Sequence, residues 1–165
     1  MNRIFVFLAV FLVALALILG AVWLLNSQNV FNSTTGDNSS STQDLTKNNG
    51  DTDPGHVSVA ATLVTEDNAA ELNASDFNLD KNFVFYVEMN THSVDITSYK
   101  MANISYLDVN GLSYQASEWA NSTDGGGHHR NGFLVFDKKG ADAKQLKLTI
   151  EGIAGVAQRE FEWSL

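Results

Sequence analysis

Two of the four histidines in this chain are adjacent. His128 and His129 follow the three glycines at 125–127, and His92 lies in the polar segment NTHSVD at 90–95. Neighbouring side chains of a regular strand point to opposite faces, but a glycine-rich loop can bring two adjacent imidazoles to one side. Three imidazoles can bind Zn²⁺ or Cu²⁺ and leave one position open. We therefore take His92, His128 and His129 as a candidate metal site.

Other side chains near the histidines leave more than one interpretation open. Asp95, Glu118 and Asp124 are candidate fourth ligands, and Met89 would favour copper, although it also fits a core face. Loop histidines commonly bond to backbone carbonyls instead, and the sequence has none of the strict ligand-spacing motifs of zinc proteins. The positive charge of Arg130 opposes cation binding and could, with the glycine amides, hold a carboxylate or phosphate.

The sequence carries no strong catalytic motif. It contains no cysteine, which excludes disulfides and thiolate ligands. The three glycines do not form a G-x-G-x-x-G nucleotide loop, and no serine lies in a G-x-S-x-G motif. The net charge of −9 disfavours nucleic acid, whose phosphates need a basic face. We predict a protein that is not an enzyme and has no nucleic-acid partner.

The elements that must position the histidines are short strands. Apolar and polar side chains alternate at 57–65, 83–89, 145–152 and 159–165. Asn110-Gly111 between two short alternating runs is typical of a hairpin, and GFLVF at 132–136 is apolar on both faces, like a central strand. In the last run we expect Phe161, Trp163 and Leu165 to face inward. This pattern predicts an all-β fold, an immunoglobulin-like antiparallel β-sandwich.

An uncharged apolar run at 4–25 precedes the strands. At about 1.5 Å per residue, a helix of this length matches the roughly 30 Å hydrocarbon core of a bilayer. We predict a single-pass transmembrane signal anchor over 1–25, with a cleaved signal peptide as the alternative. Arg3 precedes the run and the next basic residue is Lys47, so the N-terminus should be cytoplasmic and the C-terminal domain extracellular or periplasmic.

Between the anchor and the strands lies a segment rich in Asn, Ser and Thr. We predict a disordered linker at 26–55, because it has too few apolar residues to offset the entropy of ordering, and an extracytoplasmic β-sandwich domain at 56–165. The chain also contains N-x-[ST] glycosylation sequons. They begin at Asn32, Asn38, Asn73, Asn103 and Asn121.

Four parts of the sequence resemble a known family. They are NTHSVD at 90–95, Trp119, GGHHRNGFLVF at 126–136 and IAGVAQREFEWSL at 153–165. With their T-H-S and G-G-H-H-R motifs they are similar to an uncharacterised family of membrane-anchored or secreted extracytoplasmic β-domains. The resemblance implies that location and a small β fold, and it implies no activity.

Two functions follow as expectations. The first is a membrane-anchored extracytoplasmic binding module that takes a transition metal, copper or zinc, through His92, His128 and His129. The alternative is a structural or adhesion module of the cell envelope without a metal, in which an envelope protein is the partner and the histidines pack and form turns.

Overall fold

The computed structural model describes residues 45–49, 56–140 and 142–165. This part of the chain is all-β. Two short 3-10 helices, Met101–Ile104 and Ile153–Gly155, lie in loops. The strands are β1 (Thr46–Asn49), β2 (Ser58–Leu63), β3 (Asn82–Asn90), β4 (Ser105–Val109), β5 (Leu112–Gln115), β6 (Glu118–Asp124), β7 (His129–Asp137), β8 (Gln145–Glu151) and β9 (Gln158–Ser164).

The strands form two antiparallel sheets. One sheet has the order β1-β2-β3-β7-β6 and the other the order β5-β4-β8-β9. Side chains from both sheets, such as Phe85 and Leu148, join in one buried core between them. The described part of the chain is therefore an antiparallel β-sandwich, as the sequence predicts.

The alternation of apolar and polar side chains accounts for the core, and β9 shows the residue at which this alternation stops. In β9, Phe161 and Trp163 are buried, as predicted. Leu165 is 60% exposed, so its predicted inward position is wrong. The ladder to β8 ends at Ser164, and although the Leu165 amide bonds to the Lys144 carbonyl oxygen, its side chain lies beyond the edge of the core. Arg159 is fully buried on the same inward face and donates to Oδ1 of Asn49 at 2.7 Å.

Strand β7 is central, as its apolar character on both faces predicts. It lies between β3 and β6, with Leu134 in the core between the sheets. Phe133 and Val135 point outward into a second, smaller apolar cluster. The β2–β3 connection covers this cluster, and its Phe77 ring lies 4.9 Å from that of Phe133.

The Asn110-Gly111 hairpin is confirmed. Strands β4 and β5 pair up to Val109 opposite Leu112, which leaves a two-residue turn. Both turn residues have positive φ, 52° at Asn110 and 87° at Gly111, as a type I′ turn requires. The side-chain amide of Asn110 also donates to the carbonyl oxygen of Asp142 at 2.8 Å.

Strand β1 lies inside the stretch at 26–55 for which we predict a disordered linker. It pairs with β2 from Thr46 opposite Thr62 to Asn49 opposite Val59. The Trp163 indole donates to the carbonyl oxygen of Leu45 at 2.7 Å. The folded part of the chain therefore includes residues that precede the predicted boundary at His56.

The predicted anchor at 1–25 and most of the predicted linker lie outside the described residues. In the part that the structure does describe, no helix is long and apolar enough to span a membrane.

Candidate functional site

Three loops meet at one end of the sandwich, two from hairpins and one that crosses between the sheets. They connect β3 to β4, β6 to β7 and β8 to β9, and we call residues 91–99, 125–129 and 152–157 the histidine rim. Backbone hydrogen bonds join the first two loops, from the Ile96 amide to the Gly127 carbonyl oxygen at 3.1 Å and from the Thr91 amide to that of His128 at 2.9 Å. The Ala154 amide of the third loop donates to the hydroxyl of Tyr99 at 2.9 Å.

Arg130 fastens the longest of these loops to the sheet. It is the second residue of β7 and half-buried. Its Nη1 donates to the carbonyl oxygens of Ile96 at 3.1 Å and Tyr99 at 2.7 Å. The interpretation of Arg130 as an anion-binding residue is therefore not supported, because this nitrogen already serves two carbonyls of the protein.

Trp119 and Gly132 set the position of that arginine. A Cβ atom on Gly132 would lie 2.7 Å from Cζ2 of Trp119, closer than side chains pack. The glycine therefore lets the indole of β6 lie against β7. The Arg130 guanidinium stands over the same indole, 5.6 Å from the ring centroid, in cation–π geometry.

The glycines before the histidines form a tight turn. Gly126 and Gly127 have φ values of 77° and 87°, a region that side chains strongly disfavour. The Asp124 carboxylate accepts a hydrogen bond from the Gly127 amide at 2.9 Å. The Gly125 amide donates to the carbonyl oxygen of His129 at 2.6 Å and closes the turn.

The structure brings two of the three predicted ligands together. His129 begins β7 opposite Asn90 of β3, and its Nδ1 lies 2.8 Å from Oδ1 of that asparagine. The ring of His92 approaches the ring of His129 edge-on, with 6.2 Å between centroids. His128 is exposed as well, and its backbone oxygen is the acceptor for Thr91.

The Asp95 carboxylate lies close enough to His128 for the two charges to interact. Asp95 accepts hydrogen bonds from the hydroxyl and the amide of Thr97 at 2.7 and 2.8 Å. These bonds, and to a lesser extent the positive charge of a protonated His128, hold the pKa of Asp95 below its ordinary value. The carboxylate stays ionised to lower pH than a free one, so an anion faces this imidazole.

The other predicted fourth ligands are used elsewhere or lie far away. Asp124 is occupied with the Gly127 amide. Glu118 pairs with Val135, six residues along β7 from His129, which at about 3.3 Å per residue is roughly 20 Å. The expectation that Glu118 completes a histidine site is therefore wrong, because it lies toward the opposite end of the sandwich.

The geometry does not assemble a three-ligand centre in the described ranges. No group of three or more His, Asp or Glu side chains there is placed to hold a metal ion. Met89 is fully buried in the core between the sheets, which is the alternative role that its position on β3 predicts. What remains of the candidate site is the pair His92 and His129.

Sequence reasoning missed the residues that hold the rim together. Ile96 and Tyr99 act through their carbonyl oxygens, and every residue has one, so no residue type could mark them. The visible signal was Arg130 itself, a single cation between a glycine turn and a buried strand. Such a side chain commonly turns back to satisfy the carbonyls of a neighbouring loop.

Comparisons with known proteins find no match for this chain. No family model matches it, and the searches of curated proteins and of solved structures return no significant similarity. The functional conclusion therefore depends on the residues and the geometry of the chain itself.

Proposed function

We propose that this chain is a membrane-anchored extracytoplasmic β-sandwich of immunoglobulin-like type, and that it binds an envelope protein through the histidine rim. One observation carries the proposal: three loops, two from hairpins and one that crosses between the sheets, are hydrogen-bonded to one another into a single exposed surface. A surface whose loops are already ordered pays less conformational entropy when it binds. Loops held by a rigid sandwich are a common place for recognition.

The strand order supports the immunoglobulin-like type. Without β1, the sheets read β2-β3-β7-β6 and β5-β4-β8-β9, and successive hairpins alternate between them. Immunoglobulin-like domains arrange strands A-B-E-D and C′-C-F-G in the same way. The rim loops then correspond to the B–C, D–E and F–G connections, of which B–C and F–G belong to the antigen-binding end of antibody variable domains.

The extracytoplasmic location rests on the N-terminal sequence. The apolar run at 4–25 has the length and the absence of charge of a membrane-spanning helix, and the basic residue before it favours a cytoplasmic N-terminus. The resemblance of the T-H-S and G-G-H-H-R segments to a family of extracytoplasmic β-domains supports the same location.

Site-specific photo-crosslinking in intact cells tests the binding role. A photoreactive residue is placed at Ser93 or Ala157 on the rim, and at Ser113 on β5 as a control, since all three side chains are exposed. We expect the rim positions to give one crosslinked product of defined mass and the control to give none. Equal crosslinking from all three positions, or crosslinking from Ser113 alone, would contradict the assignment of the rim.

Metal binding is a second candidate, favoured by the approach of His92 to His129. Two imidazoles that share an ion each need a nitrogen about 2.0–2.1 Å from it, and rings whose centroids are 6.2 Å apart are close enough to reach one ion together. In calorimetric titration of the full chain with Cu²⁺ or Zn²⁺, we expect His92→Ala to abolish binding and His128→Ala to preserve it. Equal loss in both variants, or no binding by the wild type, would remove this candidate.

A further inference from the structure

The asparagines of the domain fall into two groups. Asparagines outside the sequons hold the fold together: Asn68, for example, bonds to the Thr65 amide and the Leu63 carbonyl oxygen, and the Asn110 side chain donates to the carbonyl oxygen of Asp142 in the β7–β8 connection. Among described asparagines outside the sequons, only Asn48 makes no side-chain hydrogen bond. The asparagines of the three described sequons make no such bonds.

The side chains of Asn73, Asn103 and Asn121 make no hydrogen bond within the part of the chain that the structure describes. All three are exposed. Asn73 and Asn121 have positive φ values of 56° and 48°, and Asn103 lies in the 3-10 helix before β4. Each amide is therefore presented on a turn or bulge, with no structural role that a covalent substituent would disrupt.

A second observation concerns the hydroxyl that completes one of these sequons. Ser105, two residues after Asn103, points inward on β4 and is fully buried. Its hydroxyl has no hydrogen-bond partner among the described residues. A buried hydroxyl without a partner destabilises a fold, and alanine would fill the same position without that cost. Packing therefore gives no reason for serine at this position, whereas a sequon requires serine or threonine there.

We propose that Asn73, Asn103 and Asn121 are acceptors of N-linked glycans, transferred from a lipid-phosphate-linked oligosaccharide outside the membrane. In the transfer, the Asn Nδ2 forms a bond to the anomeric carbon of the donor sugar and loses a proton. The bond between that carbon and the phosphate oxygen breaks, and the lipid phosphate leaves. The inference rests on the extracytoplasmic location proposed above.

The burial of Ser105 also indicates whether glycosylation comes before or after folding. Its hydroxyl cannot be recognised once β4 has paired with β8, so Asn103 is modified before the domain folds. Ser75 is exposed in the folded domain. The sequon at Asn73 therefore stays accessible to the transferring enzyme after folding.

The test is mass spectrometry of peptides from the full chain, purified from the membranes of its native cells. We expect each of the three asparagines to carry a hexose-containing mass addition. Ser75→Ala, Ser105→Ala and Thr123→Ala should each abolish the addition at the asparagine two residues earlier. The matched variants Ser75→Thr and Thr123→Ser should retain it. All of these changes keep the acceptor asparagine itself. Thr123→Ala also removes the hydroxyl bond to Oδ1 of Asn131 at 2.6 Å, so Thr123→Ser, which keeps a hydroxyl, is its matched control.

Protease treatment of cells stripped of any outer membrane, with the cytoplasmic membrane intact, separates the two ways in which the inference could fail. A domain that is digested but yields only unmodified asparagine peptides would overturn glycosylation and leave the proposed location standing. A domain that is protected until the cytoplasmic membrane is broken would overturn the location and, with it, glycosylation. A mass addition that persists in the alanine variants would show that the sequons are not its cause.

Discussion

Replacement of Arg130 by methionine should loosen the histidine rim and destabilise the domain. Methionine keeps an unbranched apolar stem but loses the donors to the carbonyl oxygens of Ile96 and Tyr99. Hydrogen bonds that involve a charged group contribute about 1.5–3 kcal/mol each, and a cation–π contact contributes about 0.5–1 kcal/mol. Because one nitrogen serves both carbonyls, we expect the free energy of unfolding to fall by about 2–4 kcal/mol in total.

Urea denaturation and hydrogen exchange measure this effect. With a urea dependence of about 2 kcal/mol per molar, the middle of the usual range, a loss of this size lowers the midpoint by roughly 1–2 M. The amides of Thr91 and Ile96, which bond to the neighbouring loop, should exchange faster in Arg130→Met. Lys100→Met is the control, because the Lys100 side chain is exposed and makes no hydrogen bond within the described part. If Arg130→Met unfolds at the wild-type midpoint with unchanged exchange at both amides, Arg130 does not hold the rim.

Three other substitutions test single contacts. Gly132→Ala should cost about 1–3 kcal/mol of unfolding free energy and alter tryptophan fluorescence, because its Cβ would press on the Trp119 indole; an unchanged urea midpoint would refute this. Ser105→Ala should raise the unfolding free energy by about 1 kcal/mol in thermal denaturation, and a clear loss would mean that the hydroxyl has a partner. Thr97→Val should raise the pKa of Asp95, followed by NMR titration of the carboxyl carbon, because the hydroxyl bond that lowers it is removed. In the wild type the lowered pKa of Asp95 stabilises the fold above the ordinary carboxyl pKa, and this stabilisation is lost as the pH falls through the lowered pKa. Thr97→Val has less of this stabilisation to lose, so its unfolding free energy should fall less in acid.

The parts of the fold that local rules govern could be predicted from the sequence. Asn110-Gly111 supplies the two positive φ values of its turn without help from the rest of the chain. Alternation places Phe161 and Trp163 inward for the same reason. Strand β1 has no such signal, since TKNN contains no apolar residue, and it forms because β2 offers it an edge with which to pair.

The candidate site was harder to predict because it depends on contacts between distant segments. The histidines and the glycine turn could be recognised by residue type, but the distance between two loops is set by the strands that carry them. Glu118 shows the consequence: it is only ten residues from His128 in the sequence, yet it begins β6 toward the opposite end of that strand from the glycine turn. A strand of seven residues is long enough to separate two candidate ligands by about 20 Å.

The core also determines which of the two adjacent histidines belongs to the site. Strands β3 and β7 pair so that Phe85 faces Leu134 and Asn90 faces His129. Because side chains alternate between faces, a slip of one residue would place His128 opposite Asn90 and turn Leu134 from the main core to the outer face. Both faces of β7 are packed there, with Leu134 in the main core and Phe133 and Val135 in the second apolar cluster, so a slip would displace several fitted side chains together. The pairing of imidazoles at the rim is thus a consequence of hydrophobic packing farther along the same two strands.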